Sequence, residues 1–249
     1  MTYFSVLRTK RFVLQLKELS IGDSISLAKM PAHLEQANCT ALLNAIIKTV
    51  SGVENPTAWT AQERMLAVCH YLMCINGDNP NFSVGENAAY FDYFDAEKDF
   101  DLANPVVSVG EIGGDNWKMR HLTGGMLETI ERLHGEINGV KNRFHWLLGC
   151  MSAQLIRESE ELIEPAESND VFDVYLLKRM QVFKAFPESD FLVLMAAFLA
   201  GQEKLKHFFD IYIVDSGLAA KPKGAEGKLP LARFRVASCL SQVAFGLAS

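Results

Sequence analysis

Apolar residues recur at every second place over residues 11–19, RFVLQLKEL, where Phe12, Leu14 and Leu16 fall on one side of an extended chain. That spacing predicts a half-buried strand. Gly22-Asp23 breaks it, and Asp23 is expected to cap a short helix that stops before Pro31. The period then lengthens, and Leu42, Leu43, Ile46, Ile47 and Val50 make one stripe of a helix expected over about residues 32–50. Beyond Pro56, Thr60-Ala-Gln-Glu63 has the spacing of a capping box, in which each end of the motif satisfies an orphan amide of the other. A helix is expected from there to about Ile75. Met65, Leu66, Cys69, Leu72 and Met73 lie on its inner side, and Asn76-Gly77 closes it.

Residues 77–105 read as a long loop in which acids interleave with Phe82, Tyr90, Phe91, Tyr93, Phe94 and Phe100. Residues 106–112 and 117–122 flank Gly113-Gly114-Asp115-Asn116 and predict a β-hairpin. Helical periodicity returns with Met126, Leu127, Ile130, Leu133 and Ile137 up to Gly139, and again with Phe144, Leu147, Leu148, Met151 and Leu155 to about Leu162. The acidic stretch 157–170, interrupted by Pro165, is expected to be an exposed connection. Asp170 can cap a helix over 171–185, and Ser189-Asp190 opens another to about Lys206. A strand over 208–214, a Gly- and Lys-rich loop over 217–228 and an amphipathic helix from Leu231 to about Leu247 complete the chain. The fold class expected is α+β, predominantly α-helical, with an N-terminal strand and one small hairpin. No linker is long and polar enough to stand alone, so a single globular domain over 1–249 is expected, with any subdivision falling near 104–124.

Composition narrows the function classes. With 49% apolar and 22% charged residues the chain can bury a core without metal or disulfides. A net charge of −6 opposes general nucleic-acid binding. Basic residues gather at Arg8, Lys10 and Arg11 and again at Lys204, Lys206, Lys221, Lys223, Lys228, Arg233 and Arg235, and are read as solvated surface. Cys39, Cys69, Cys74, Cys150 and Cys239 are odd in number and scattered, unlike a secreted disulfide framework. The longest strictly apolar run, residues 191–200, is half the length of about 20 that a bilayer requires. No signal peptide is recognised at the N-terminus, so a soluble protein made in the cytoplasm, without membrane insertion, is expected.

Candidate chemistry is sparse. Asp215-Ser216-Gly217 after two apolar residues has the look of an aspartic-protease loop, but only one copy exists and a turn after a strand accounts for it. His33, His70, His121, His134, His145 and His207 show no metal-ligand spacing, and His70 and His145 sit beside apolar stripes as satisfied helix histidines. Gly110, Gly113 and Gly114 are wrongly spaced for a dinucleotide site, and no Gly-Lys-Ser/Thr phosphate loop occurs. No catalytic, metal or cofactor-binding residue is nominated, and no cofactor is expected. The protein-contact candidates are Tyr90, Phe91, Tyr93, Phe94, Phe100 and Trp117, since aromatics with a charged rim suit an interface; the competing reading is that they pin a loop to the core.

Three stretches, RFVLQLKELSIGDSISLAKMP, WTAQERMLAVCHYL and FHWLLGCMSAQL, resemble tail and baseplate proteins of tailed bacteriophages. The resemblance implies a non-enzymatic role in virion assembly, as a tail or baseplate component or an assembly factor. Its implied partners are other tail or baseplate proteins, with homo-oligomers compatible, and its implied place is the host cytoplasm and then the virion. The alternative is an intracellular enzyme or small-ligand protein whose site is assembled from residues distant in sequence. A regulatory protein that binds a host factor is a third reading.

Overall fold

The computed structural model of the chain describes residues 2–76, 89–161, 163–165, 170–224 and 229–248. In chain order its elements begin with β1 (Leu7–Arg8), β2 (Phe12–Leu16), α1 (Ile21–Ala28), α2 (Glu35–Ile46), β3 (Ile47–Gly52), α3 (Ala61–Asn76) and β4 (Phe94–Asp95). They continue with β5 (Val106–Ile112), β6 (Asp115–Arg120), α4 (Gly124–Arg132), α5 (Asn142–Gln154), β7 (Leu155–Arg157), α6 (Asp170–Lys184) and α7 (Glu188–Leu205). The last are β8 (Phe208–Val214), β9 (Gly217–Lys221) and α8 (Gln242–Ala248). The chain forms two compact units, one of residues 1–99, 207–212 and 219–249, the other of 100–206 and 213–218.

In the first unit β2 lies between β1 and β3, antiparallel to both, with Leu14 opposite Leu7 on one side and Val50 on the other. The alternation seen in the sequence holds: Phe12, Leu14 and Leu16 are buried while Val13 and Gln15 are half-buried. Helix α1 starts earlier than expected. Its cap is Ser20, whose hydroxyl accepts from the Asp23 amide at 3.1 Å and donates to Asp23 Oδ2 at 2.6 Å. The helix expected to about residue 50 stops at Ile46, because residues 47–52 leave it to pair with β2. An open ladder edge on β2 would leave backbone groups without partners, and that demand overrides the helical stripe.

The capping box opens α3 as read: Glu63 N–H donates to Thr60 Oγ1 at 3.1 Å and Thr60 N–H to Glu63 Oε2 at 2.8 Å. A second sheet runs β4-β8-β9. Of the expected loop at 217–228, residues 217–221 are β9, and 225–228 lie outside the described residues. The long C-terminal helix is replaced by an extended segment, a single 3-10 turn at Val236–Cys239 and the short α8. Ala232 exchanges backbone hydrogen bonds with Ala220 at 2.8 and 2.9 Å, which holds that segment out of a helix. The core gathers Phe12, Leu14, Trp59, Tyr71, Tyr90 and Phe209.

In the second unit β5 and β6 form the predicted hairpin. Its turn is Gly113-Gly114, with φ of +64° and +82°, the double left-handed geometry that a two-residue hairpin turn requires. A third strand, β7, pairs with β6 where the sequence suggested continuing helix. Two buried arginines explain that ending. Arg120 Nε donates to Ala153 O at 2.9 Å, and Arg179 donates to Ser152 O at 2.8 Å and Leu155 O at 2.6 Å. The last carbonyls of α5, which no helical amide reaches, are thus satisfied and the chain is released into a strand.

The expected fold class is therefore corrected. Helices account for 48% and strands for 20% of the described residues, and nine strands form three small antiparallel sheets. The protein is an α+β mix, not a mainly helical fold with one N-terminal strand and one hairpin. The strands absent from that expectation are short, at two to six residues, and two of them, β3 and β7, begin where a helix ends.

Candidate functional site

Two features stand apart from ordinary packing, one polar and buried, one apolar and exposed. The polar one lies in the first unit. His207 Nε2 is 2.8 Å from Thr60 Oγ1, Thr60 is bound on both sides to Glu63, and Glu63 Oε2 also accepts from Arg11 Nη1 at 2.9 Å. Thr60 and Glu63 are 0% exposed and His207 is 1%. Burial pushes the Glu63 carboxyl above its ordinary value, against the pull of Arg11 and the two Thr60 hydrogen bonds. Its second oxygen, Oε1, has no hydrogen-bond partner among the described residues. His207 is aimed inward by a tight turn, for Phe208 has φ of +52° and its neighbour's amide returns to the His207 carbonyl.

A histidine, a hydroxyl and a carboxylate in a row are the parts of acid–base chemistry. Here they are sealed: a substrate atom cannot reach Thr60 Oγ1 while the fold stays closed. The arrangement acts as a clamp between the start of α3 and the start of β8, elements that the sequence separates by 147 positions. The capping box was legible; the histidine that completes it was not.

The six contact candidates are placed as follows. Tyr90 and Tyr93 are buried in the first unit, where Tyr90 stacks on Phe94 at 4.9 Å and the Tyr93 hydroxyl donates to Pro230 O at 2.7 Å. Phe94 is half-buried against Phe208 and Phe209. Phe100 and Trp117 are buried in the second unit, Phe100 4.4 Å from His121 and Trp117 donating its indole N–H to Ile112 O at 3.2 Å. Phe91 alone of the six is exposed, at 62%. Phe82 and the rest of 77–88 lie outside the described residues.

Other sequence candidates resolve simply. Asp215 and Ser216 form the exposed turn between β8 and β9. His145 Nε2 meets Ile130 O at 2.7 Å, His70 Nε2 meets Ser5 O at 2.8 Å, and no metal-binding group is found among the described residues. Several basic residues already face acids, with Arg233 and Arg235 on Glu35 and Lys221 beside Asp210.

The apolar feature is α7. Its inner stripe, Leu194, Phe198, Gly201 and Leu205, is buried in the second unit. Gly201 lets the helix come close to the hairpin, where an added Cβ would meet Met119 Sδ at 2.4 Å and Val109 Cγ1 at 2.8 Å. A surface helix ordinarily turns polar residues outward. On α7 Leu192, Val193 and Leu199 point outward instead, at 49%, 55% and 53% exposure, with Ala196 and Ala200 exposed between them. Phe144, 39% exposed, packs its ring against Phe191 at 6.3 Å and extends the patch. The signal was present in the ten-residue apolar run 191–200, which is too long and too uniform for a helix with one buried stripe. No helix of the described residues is long and apolar enough to cross a membrane.

Compared with family models, curated proteins and solved structures, the chain matches none.

Proposed function

We propose that this chain is a non-enzymatic assembly or structural protein that works by docking on other proteins, and that the outer face of α7 is its working surface. The observation that carries the reading is the exposure of Leu192, Val193 and Leu199 along one helix face, where water gains nothing and a partner's apolar surface would. The resemblance to tail and baseplate proteins gives the role its specific form: a tail or baseplate component, or a factor in tail assembly, made in the host cytoplasm and acting there or in the virion. The aromatic residues chosen from sequence serve that role chiefly by shaping the two cores, with Phe91 as the one outward contact.

The test is to mix the purified chain with purified tail and baseplate proteins and measure native mass by light scattering. Wild type is expected to enter a defined larger complex and Leu199→Glu to stay out of it. Equal behaviour of the two would remove α7 from the account.

A second reading, an enzyme with a site built from distant residues, is favoured by one observation: Thr60, Glu63 and His207 meet with a perturbed carboxylate among them. It requires the clamp to open. A thermal-shift screen of small ligands, repeated with His207→Ala, tests it; a ligand whose stabilisation disappears in the variant would move this reading ahead of docking.

A further inference from the structure

The connection between α4 and α5 contains one peptide step that the fold leaves chemically open. Ile137 and Val140 are buried, and the Val140 N–H closes a tight turn on Ile137 O at 3.1 Å. Between them Asn138 and Gly139 stand exposed. Gly139 has φ of +76°, and a Cβ built on it would meet nothing within 4 Å, so that side of the turn is open. Among the described residues neither the Asn138 carboxamide nor the Gly139 N–H makes a hydrogen bond. The Asn138 backbone carbonyl accepts from Lys184 Nζ, at the end of α6, at 2.6 Å.

We propose that Asn138-Gly139 is a self-modification site, at which the chain converts Asn138 to a mixture of aspartate and isoaspartate. Asparagine is a thermally labile residue, and here nothing restrains its side chain. The Gly139 amide nitrogen attacks Cγ of Asn138 and gives up its proton. A nitrogen–carbon bond forms, the Cγ–Nδ2 bond breaks, and Nδ2 leaves with that proton as ammonia. Water then opens the five-membered imide at one of its two carbonyls. One opening leaves aspartate; the other routes the main chain through the side-chain carbon and leaves isoaspartate. The step needs no oxidant or reductant. Glycine is what makes it reachable, since a residue without Cβ neither crowds the nitrogen nor resists turning of the peptide plane. Other asparagines are held back, for Asn38, Asn55, Asn104 and Asn116 each commit the side chain to a hydrogen bond. Either product sets a new carboxylate near Lys184. Isoaspartate also lengthens the main chain of a turn whose two ends, Ile137 and Val140, are fixed in the core.

The experiment incubates the folded full-length chain at mildly alkaline pH and maps its tryptic peptides by tandem mass spectrometry. Trypsin cuts after Arg132 and Lys141, so the site is read in peptide 133–141, apart from the other Asn-Gly step at Asn76-Gly77. That peptide should gain the mass of an amide exchanged for an acid, and ammonia should appear in step with it. It should also accept a methyl group from protein isoaspartate methyltransferase, which labels the isoaspartyl carboxylate. Asn138→Gln should remove the label from this peptide. Gly139→Asn keeps a residue that tolerates the left-handed φ but shields the nitrogen, and should slow conversion about tenfold or more with unchanged circular dichroism. A peptide 133–141 that stays intact in the folded chain, while the urea-unfolded chain converts, would show that the turn blocks ring closure and would overturn the proposal. Equal rates in wild type and Gly139→Asn would overturn it as well.

Discussion

Glu63 is a carboxyl group held in the interior, where its type is seldom found. It is fully buried, it bonds to Arg11 and Thr60, and its Oε1 has no hydrogen-bond partner among the described residues. Its raised pKa gives a signed expectation. Above the ordinary value of 4.5 an unfolded chain has lost the proton that folded Glu63 still holds. Its contribution to stability is therefore fullest below pH 4.5 and declines as pH rises from there toward the folded value. Glu63→Gln keeps an acceptor for the Thr60 amide and does not titrate. Denaturant midpoints measured across that range should move in favour of the variant as pH rises, and a pH-independent difference would contradict the assignment. Removing the acceptor altogether with Glu63→Ala should cost about 2–4 kcal/mol, since it takes away one half of the capping box of α3 and the carboxylate partner of Arg11. At this scale the sequence showed half of the cluster. Thr60 and Glu63 are local and carry a recognisable spacing, whereas His207 and Arg11 arrive through tertiary contact, which no spacing encodes.

At the scale of elements, the interiors of long helices and the hairpin were legible and the junctions were not. Residues 61–76 and 188–205 lie within a residue or so of the expected helices, and the Gly113-Gly114 turn stands where two glycines between apolar runs must put it. Two of the errors share one cause. Residues 47–52 and 155–157 have the apolar content to continue a helix, but each meets a strand with an unfilled edge. Arg179 illustrates why this is invisible in sequence, for it lies some two dozen positions beyond the carbonyls it satisfies. Arg179→Met should destabilise the fold by about 2–4 kcal/mol in urea unfolding, because it takes the side-chain donor from two buried carbonyls and breaks the ion pair to Glu160. Gly201→Ala should cost about 1–3 kcal/mol by pressing a methyl group into Met119 and Val109. A Gly201→Ala chain as stable as wild type would mean that α7 can lift off the hairpin, contrary to its close seating on Met119 and Val109.

For the whole molecule, the two compact units each hold their own core, and what is left over is an apolar helix face turned to solvent. The apolar run 191–200 was visible from the start, yet its length speaks first about membranes, and only the placement of Leu194 and Phe198 inward reveals that the other side is spare. Substitution there should separate function from folding. Leu199 is 53% exposed on the outer side of α7, so Leu199→Glu should change stability by no more than about 0.5 kcal/mol. The most direct measurement is the native mass of wild type and Leu199→Glu side by side, alone and with tail and baseplate proteins. Docking through α7 is supported by a wild type that associates and an equally stable variant that does not; the two chains giving the same mass in every mixture would contradict it.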